Sequence, residues 1–189
     1  MNISIVVPVY NSSSIIENLT KDILSTIKEI SDVNKIQLIL VNDCSTDESW
    51  KKISKLSDEY KDTVLGINLM KNYGQHNAIM AGLKLANGDY ILFIDDDYQH
   101  PPKEIPKILS KIREGFDVCY TNYKNNTYSK YKIFGSWINK KISNILIDKP
   151  KSIYLSSYKC INQKVLKEII KYDGPFVYID GLIFDITKK

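Results

Sequence analysis

The feature that most constrains this chain is an unbroken alternation of short apolar runs and amphipathic helical stretches as far as Tyr120. Ile3–Val9, Ile36–Val41, Val64–Leu69, Ile91–Ile94 and Phe116–Tyr120 are short, apolar and bounded by turn residues, as buried strands are. Between the first two, Ser12–Ser14 offer helix N-caps, with Glu17 as a capping-box partner for Ser14. Ile15, Ile16, Leu19, Ile23, Leu24 and Ile27 then recur at helical spacing as far as about Ile30. Ser45–Glu48 read as the cap of a second helix running through about Tyr60. Gly74 or Gln75 opens a third helix that Asn87-Gly88 terminates, and Pro101-Pro102 suit the first turn of a fourth ending near Glu114. Such alternation predicts an α/β fold with a mostly parallel, twisted sheet and helices on both faces.

After Thr121 the pattern changes. Residues 122–132 are polar and tyrosine-rich and read as a loop. Ile133–Ile147 reads as a helix, whose face of Trp137, Ile138, Ile142, Ile145 and Leu146 could pack in the core, lie on a membrane or cover an acceptor site. Ser152–Ile161 alternates loosely like a strand, Gln163–Lys171 suits a short helix, and Phe176–Ile186 is a final apolar segment. No internal repeat or linker divides the 189 residues, so one domain is expected.

Bulk properties narrow the function. With 43% hydrophobic and 25% charged residues, the chain has the composition of a folded globular protein. No apolar run approaches the roughly 20 residues that span a bilayer. The start, Met-Asn-Ile-Ser-Ile-Val-Val-Pro, resembles a first strand and not a leader, so the cytoplasm is the expected compartment. Cys44, Cys119 and Cys160 are far apart and odd in number, which suits free thiols. The net charge of +4 is spread without a basic stripe, so nucleic acid is not an expected partner. Of the 26 basic residues only Arg113 is an arginine. A bound polyanion would therefore depend on metal, lysine or backbone N–H groups, not on bidentate guanidinium forks.

The chemistry concentrates at strand ends. Ile91–Ile94 stops on Asp95-Asp96-Asp97, three carboxylates that repel one another unless a cation or buried donors offset them. In a parallel sheet Tyr10-Asn11, Asn42-Asp43 and Asp95–Asp97 lie along one edge, where open α/β sheets bind ligands. Asp95 and Asp97 could hold Mg²⁺ or Mn²⁺ on a phosphorylated ligand; the alternative is a solvated acidic turn. Asp43 could accept from a base ring N–H or cap the following helix. Lys71–Asn77 precedes a helix start and suits an anion, although it is not a Walker loop. His76 and His100 are ligands, bases or ordinary polar residues on local grounds.

Four segments together resemble a known family: Ser4–Asn11, Val41–Asp47, Asn72–Gly82 and Gly88–Pro102. In this order and spacing they are similar to family 2 glycosyltransferases of the GT-A fold. The Asn-Tyr-Gly-Gln-His and Asp-x-Asp-x-Gln-x-Pro-Pro pieces are most similar to the polyprenyl-phosphate, dolichol-phosphate-mannose-synthase-like branch. The resemblance is strong over residues 3–120 and loose beyond. It implies a nucleotide-sugar half in residues 1–120 and an acceptor-side half in 121–189, incomplete at its C-terminal end. Pro8, Tyr10, Asn11 and Asp43 would line the base pocket, with Glu17 at its rim and Asn72 and Gln75 beside it. Asp95 and Asp97 match the metal-binding Asp-x-Asp, Asp96 would reach the ribose, and Gln99 would lie near metal and diphosphate.

The expected activity is a metal-dependent, inverting transfer of a sugar from a UDP- or GDP-linked donor to a polyprenyl-phosphate or cell-envelope glycan. A lipid-linked acceptor would draw the chain to the inner face of a membrane as a peripheral protein. In the segment Leu155–Cys160, where relatives often carry an acid, Ser156 and Ser157 stand, which leaves Asp180 as the candidate base; a turn residue before Gly181 is the other reading. A phosphate acceptor would need no strong base. Two alternatives remain: a nucleotide-sugar-binding fragment or partner-dependent domain without turnover, and a nucleotidyltransferase, for which Ser12–Ser14 would be a poor phosphate loop.

Overall fold

The computed structural model describes residues 1–99, 101–121 and 156–187. The expected loop at 122–132, the helix at 133–147 with Trp137, the start of the strand at 152–155, and His100 lie outside the described residues. The rest forms a six-stranded sheet in the order β3-β2-β1-β4-β6-β5. The chain runs β1 (Asn2–Val9), α1 (Ile16–Lys28), β2 (Lys35–Asn42), α2 (Ser49–Glu59), β3 (Val64–Asn68), α3 (Gln75–Leu83) and β4 (Tyr90–Phe93). A 3-10 turn (Pro102–Glu104) leads into α4 (Ile105–Ile112), followed by β5 (Val118–Tyr120), β6 (Lys159–Asn162), α5 (Gln163–Ile169) and α6 (Ile179–Ile186).

Each strand expected from the first 120 residues forms. β1 pairs in parallel with β2 and β4, and β2 with β3. The strand expected to end at Ile161 forms as β6, but its place was not anticipated: it inserts antiparallel between β4 and β5, setting Lys159 opposite both Phe93 and Tyr120. From Ile3 to Val9 every residue of β1 is buried, because helices cover both of its faces. Ile3, Ile5, Val7 and Val9 join α1, α2 and α4 in one core. Val6 joins α3, α5 and α6 in the other, with Ile39, Val41, Ile91 and Phe93.

Two local expectations are corrected. α1 starts at Ile16 without a side-chain cap, and Ser12 O accepts the N–H groups of Ile15 and Ile16. The Ser14–Glu17 capping box is absent because Glu17 turns sideways to Lys52 of α2, at 2.9 Å. Gly88 is not the terminator of α3, which ends at Leu83. A Cβ at Gly88 would stand 2.5 Å from Ser4 N, so a glycine is required by the close approach of this turn to β1. Ser4 Oγ accepts the N–H groups of both Asn87 and Gly88 there.

Strand order reverses between β1 and β4, and the two separate at their carboxyl ends. Their pairing stops at Val6 and Phe93, with one further bond from Ile94 N to Val6 O, while β1 continues along β2 as far as Val9. Bonding directions alternate along a strand, so even-numbered residues of β1 face β4. Pro8, which has no N–H, falls on the β4 side just beyond the last rung. The ladder stops where the cleft opens.

Candidate active site

The cleft at this switch point has a volume of about 320 Å³ and is lined by Pro8, Val9, Tyr10, Asp43, Asn72, Gly74, Gln75, Asp95, Asp96 and Asp97. Eight residues expected at a nucleotide-sugar site are therefore brought together: Pro8, Tyr10, Asp43, Asn72, Gln75, Asp95, Asp96 and Asp97. Asn11, Glu17, Gln99 and Asp180 do not contribute to its lining.

Three loops build the walls, and hydrogen bonds between them fix their shape. Asn11 N donates to Ser45 Oγ, Thr46 N to Asn11 Oδ1, and Ser12 N to Ser49 Oγ. Asp47 accepts from Ser13 N and Ser49 N at 3.0 and 2.9 Å. Burial pushes its carboxyl upward, but these donors outweigh it and hold the group below the usual carboxylate range. Asn11 thus serves as a brace between loops. The only non-glycine residues with left-handed backbone among those described are Asn11, Cys44 and Tyr98, with φ of 53°, 56° and 58°. Each closely follows a strand that ends at the cleft. Such backbone is unfavourable for cysteine and tyrosine, and its concentration here marks loops shaped for a site.

Asp43, 3% exposed, neither caps α2 nor stands open. Its two oxygens accept the N–H groups of Tyr73 and Gly74 at 2.8 and 2.9 Å. Gly74, at φ 87°, supplies the backbone that this arrangement needs before α3 begins. Asn72 Oδ1 also accepts from Gly74 N.

The three acids after β4 have separate environments. Asp95 is half-buried, and its Oδ1 accepts from Gln75 Nε2 at 2.7 Å. Asp96 turns back beneath the first loop, where Tyr10 N and Ser12 Oγ donate to its Oδ2. Burial raises its pKa, opposed by those two donors. Asp97 is exposed, and its Oδ1 accepts from Gln99 N within the turn. Tyr98 ties that turn to α1 through a 2.7 Å bond from its hydroxyl to Asp22.

Asp180 lies elsewhere. It is buried on α6, where one oxygen takes both the Lys159 ammonium and, at 2.9 Å, the Tyr120 hydroxyl. The Lys159 ammonium also sits over the rings of Phe93 and Tyr120. His76 approaches from α3, its ring edge-on to Tyr178 at 5.2 Å. Burial lowers the His76 pKa, partly countered by Asp180 and reinforced by Lys159. Sequence reasoning missed Lys159, the first residue of β6, in this cluster. Nothing in the sequence marked Ser12 as a partner of Asp96, 84 positions away.

The sequence model for glycosyl transferase family 2 matches residues 4–170, nearly the whole chain. The chain belongs to glycosyl transferase family 2. A curated relative of this family 2 chain, the undecaprenyl-phosphate 4-deoxy-4-formamido-L-arabinose transferase of Proteus mirabilis, is 34% identical over 168 residues. That match covers 89% of the chain and 50% of the relative. The chain spans about half the length of the curated relatives it matches.

Solved structures show the same GT-A architecture. Glucosyl-3-phosphoglycerate synthase of Mycobacterium tuberculosis, in complex with Mn²⁺, UDP-glucose and phosphoglyceric acid, aligns with a TM-score of 0.61 at 19% identity. It covers 88% of this chain and 58% of its own. A Pyrobaculum calidifontis mannosyltransferase in complex with GDP-Man and Mn²⁺ aligns at 0.60 and 15%, covering 87% and 45%. The GT-A fold expected from the four motifs is thus the fold of the family 2 chain.

The donor set fits a hard divalent cation. Among the described residues no group of three or more His, Cys, Asp or Glu side chains forms a closed metal cage. Asp95 and Asp97 instead offer carboxylates along an open cleft. Mg²⁺-type ions commonly use one or two such ligands and complete their shell with water and substrate phosphate.

Proposed function

We propose that this chain binds a UDP- or GDP-linked sugar in the cleft between β1 and β4 and transfers the sugar, with inversion, to a polyprenyl-phosphate. The observation that carries the reading is the convergence of Asp95, Asp97 and Asp43 on one cleft at the switch point of a family 2 chain. Tyr10 and Pro8 would flank the base, whose ring N–H would meet Asp43. The bound diphosphate would extend toward Asp95 and Asp97. A Mg²⁺ or Mn²⁺ held by these two carboxylates would neutralise the departing diphosphate, work for which a chain with one arginine has few other groups.

In the transfer, an acceptor phosphate oxygen forms a bond to the anomeric carbon from the face opposite the diphosphate. The old carbon–oxygen bond breaks, and its electron pair leaves with the nucleoside diphosphate. Such an oxygen is already ionised at neutral pH and needs no base. That suits a protein whose candidate base, Asp180, is buried and engaged by Lys159 and Tyr120. In this reading Asp180 anchors the acceptor side and does not take a proton. The acceptor class is supported by the undecaprenyl-phosphate transferases among the relatives. The donor class is supported by the UDP-glucose and GDP-Man complexes of the structural neighbours. An acceptor of this kind resides in a bilayer, so the reaction would take place at a membrane surface. Among the described residues, no helix is long and apolar enough to cross a membrane.

Thermal stabilisation by a panel of nucleotide-sugars, with and without Mn²⁺, tests the reading. One UDP- or GDP-linked sugar should raise the melting temperature in a metal-dependent way, by mass action. A flat panel, or a gain retained in full by Asp95→Ala/Asp97→Ala, would remove the assignment.

A further inference from the structure

Asp43 and Asp95 follow β2 and β4, which lie on opposite sides of β1, yet a continuous set of contacts joins them. Asp43 holds the consecutive amides of Tyr73 and Gly74. Gly74, at φ 87°, then turns the chain from these two anchored amides into α3. The direction in which α3 departs is therefore set at Asp43. Gln75 is the first residue of α3, and its exposed side chain reaches across the cleft to donate to Asp95 Oδ1 at 2.7 Å.

We infer that Gln75 is a positioning residue for Asp95 and that Asp43 positions Gln75 in turn, so that the base-side and diphosphate-side walls of the cleft act as one unit. The inference rests on the donor-site reading above. A carboxylate oxygen has two lone-pair directions, so Asp95 Oδ1 can accept from Gln75 and still face a cation. Fixing the rotamer of a ligand before the cation arrives is what hydrogen bonds behind a metal ligand do, and their loss commonly weakens metal affinity by about 10- to 100-fold. Seated base and bound cation then favour each other: ordering of the 73–75 turn by one is ordering the other no longer has to supply.

Calorimetric titration of UDP and GDP, each with Mn²⁺ and with chelator, separates this role from a merely structural one. Wild type should bind one nucleotide more tightly with Mn²⁺. Gln75→Leu should reduce the Mn²⁺-dependent gain by about tenfold, a larger factor than any change in its chelator-state affinity. Asp43→Asn should reduce that gain as well as basal affinity, and the double variant should lose no more of the gain than Gln75→Leu alone. An undiminished gain in Gln75→Leu, or additive losses in the double variant, overturns the inference and leaves the donor-site reading intact. Wild type that binds neither nucleotide, with or without Mn²⁺, overturns both.

Discussion

Asp95 and Asp180 are the same side chain in two opposite situations. Asp95 lies half-buried in the lining of an open cleft, where Gln75 donates to it. Asp180 already has its cation: Lys159, 2% exposed, paired with it between α6 and the sheet. A carboxylate that binds must line a space that a ligand can enter. One that holds the fold is paired internally, since a buried charge without a partner is costly. The contrast separates the part of the molecule that can take up a ligand from the part that keeps its wall in place.

The largest effect should come from breaking the internal pair. Asp180→Ala leaves the Lys159 ammonium buried without compensation and is expected to cost about 3–5 kcal/mol in denaturant unfolding. Lys159→Met combined with Asp180→Leu should recover most of that loss. A double variant no better than Asp180→Ala would mean that the pair does more than hold the fold. Asp95→Ala/Asp97→Ala should do the reverse. Its intrinsic stability should stay within about 1 kcal/mol of wild type. It should lose the roughly 2.7 kcal/mol of stabilisation that a ligand at a hundred times its dissociation constant confers in the presence of Mn²⁺.

Asp96 sharpens the comparison from within the triplet. Burial raises its folded-state pKa above the ordinary 3.8, so its favourable contribution is complete below that value and fades as pH rises through the folded value. Asp96→Asn keeps an acceptor for Tyr10 N and removes the charge. Its melting temperature at neutral pH should be no lower than wild type, with a changed acid-side profile; a clear drop would show that the ionised carboxylate is needed.

The smallest effect is expected at His76, whose pKa burial lowers from 6.5. Its contribution is present above pH 6.5 and is lost as pH falls from there through the folded value. His76→Phe should therefore flatten the stability profile just below pH 6.5, and an unchanged slope would detach His76 from the cluster.

Much of the cleft was legible in the sequence because it is local. Each strand is one apolar run, each wall residue sits within a few positions of a strand end, and the alternation aligns those ends without further information. The acids at Asp95–Asp97 interrupt an apolar run abruptly enough to be seen unaided. Reach was not legible. Asp43 reads in the sequence as meeting a base or capping a helix, and its bonds to the amides of Tyr73 and Gly74, 30 residues on, were not foreseen. Glu17 had the spacing of a capping box and was taken by Lys52 of another helix. The position of β6 was hidden for a related reason. Strand order depends on pairing between distant segments, and a loosely alternating stretch ending at Ile161 does not say that it will lie between β4 and β5.

That placement bears on how the protein assembles as it is synthesised. β1, β2, β3 and β4 can pair as soon as Phe93 has emerged, but β4 then presents a bare apolar edge. Among the described strands, its outer neighbour is β6, encoded by residues 159–162. β5 is made earlier and pairs with β6. Among the described strands, β4 thus gains its outer neighbour only after more than sixty further residues have been made, and an uncovered strand edge is the kind that invites pairing with other chains. The strand that closes it also delivers Lys159, so the buried Lys159–Asp180 pair is set by the same late event that seals the sheet.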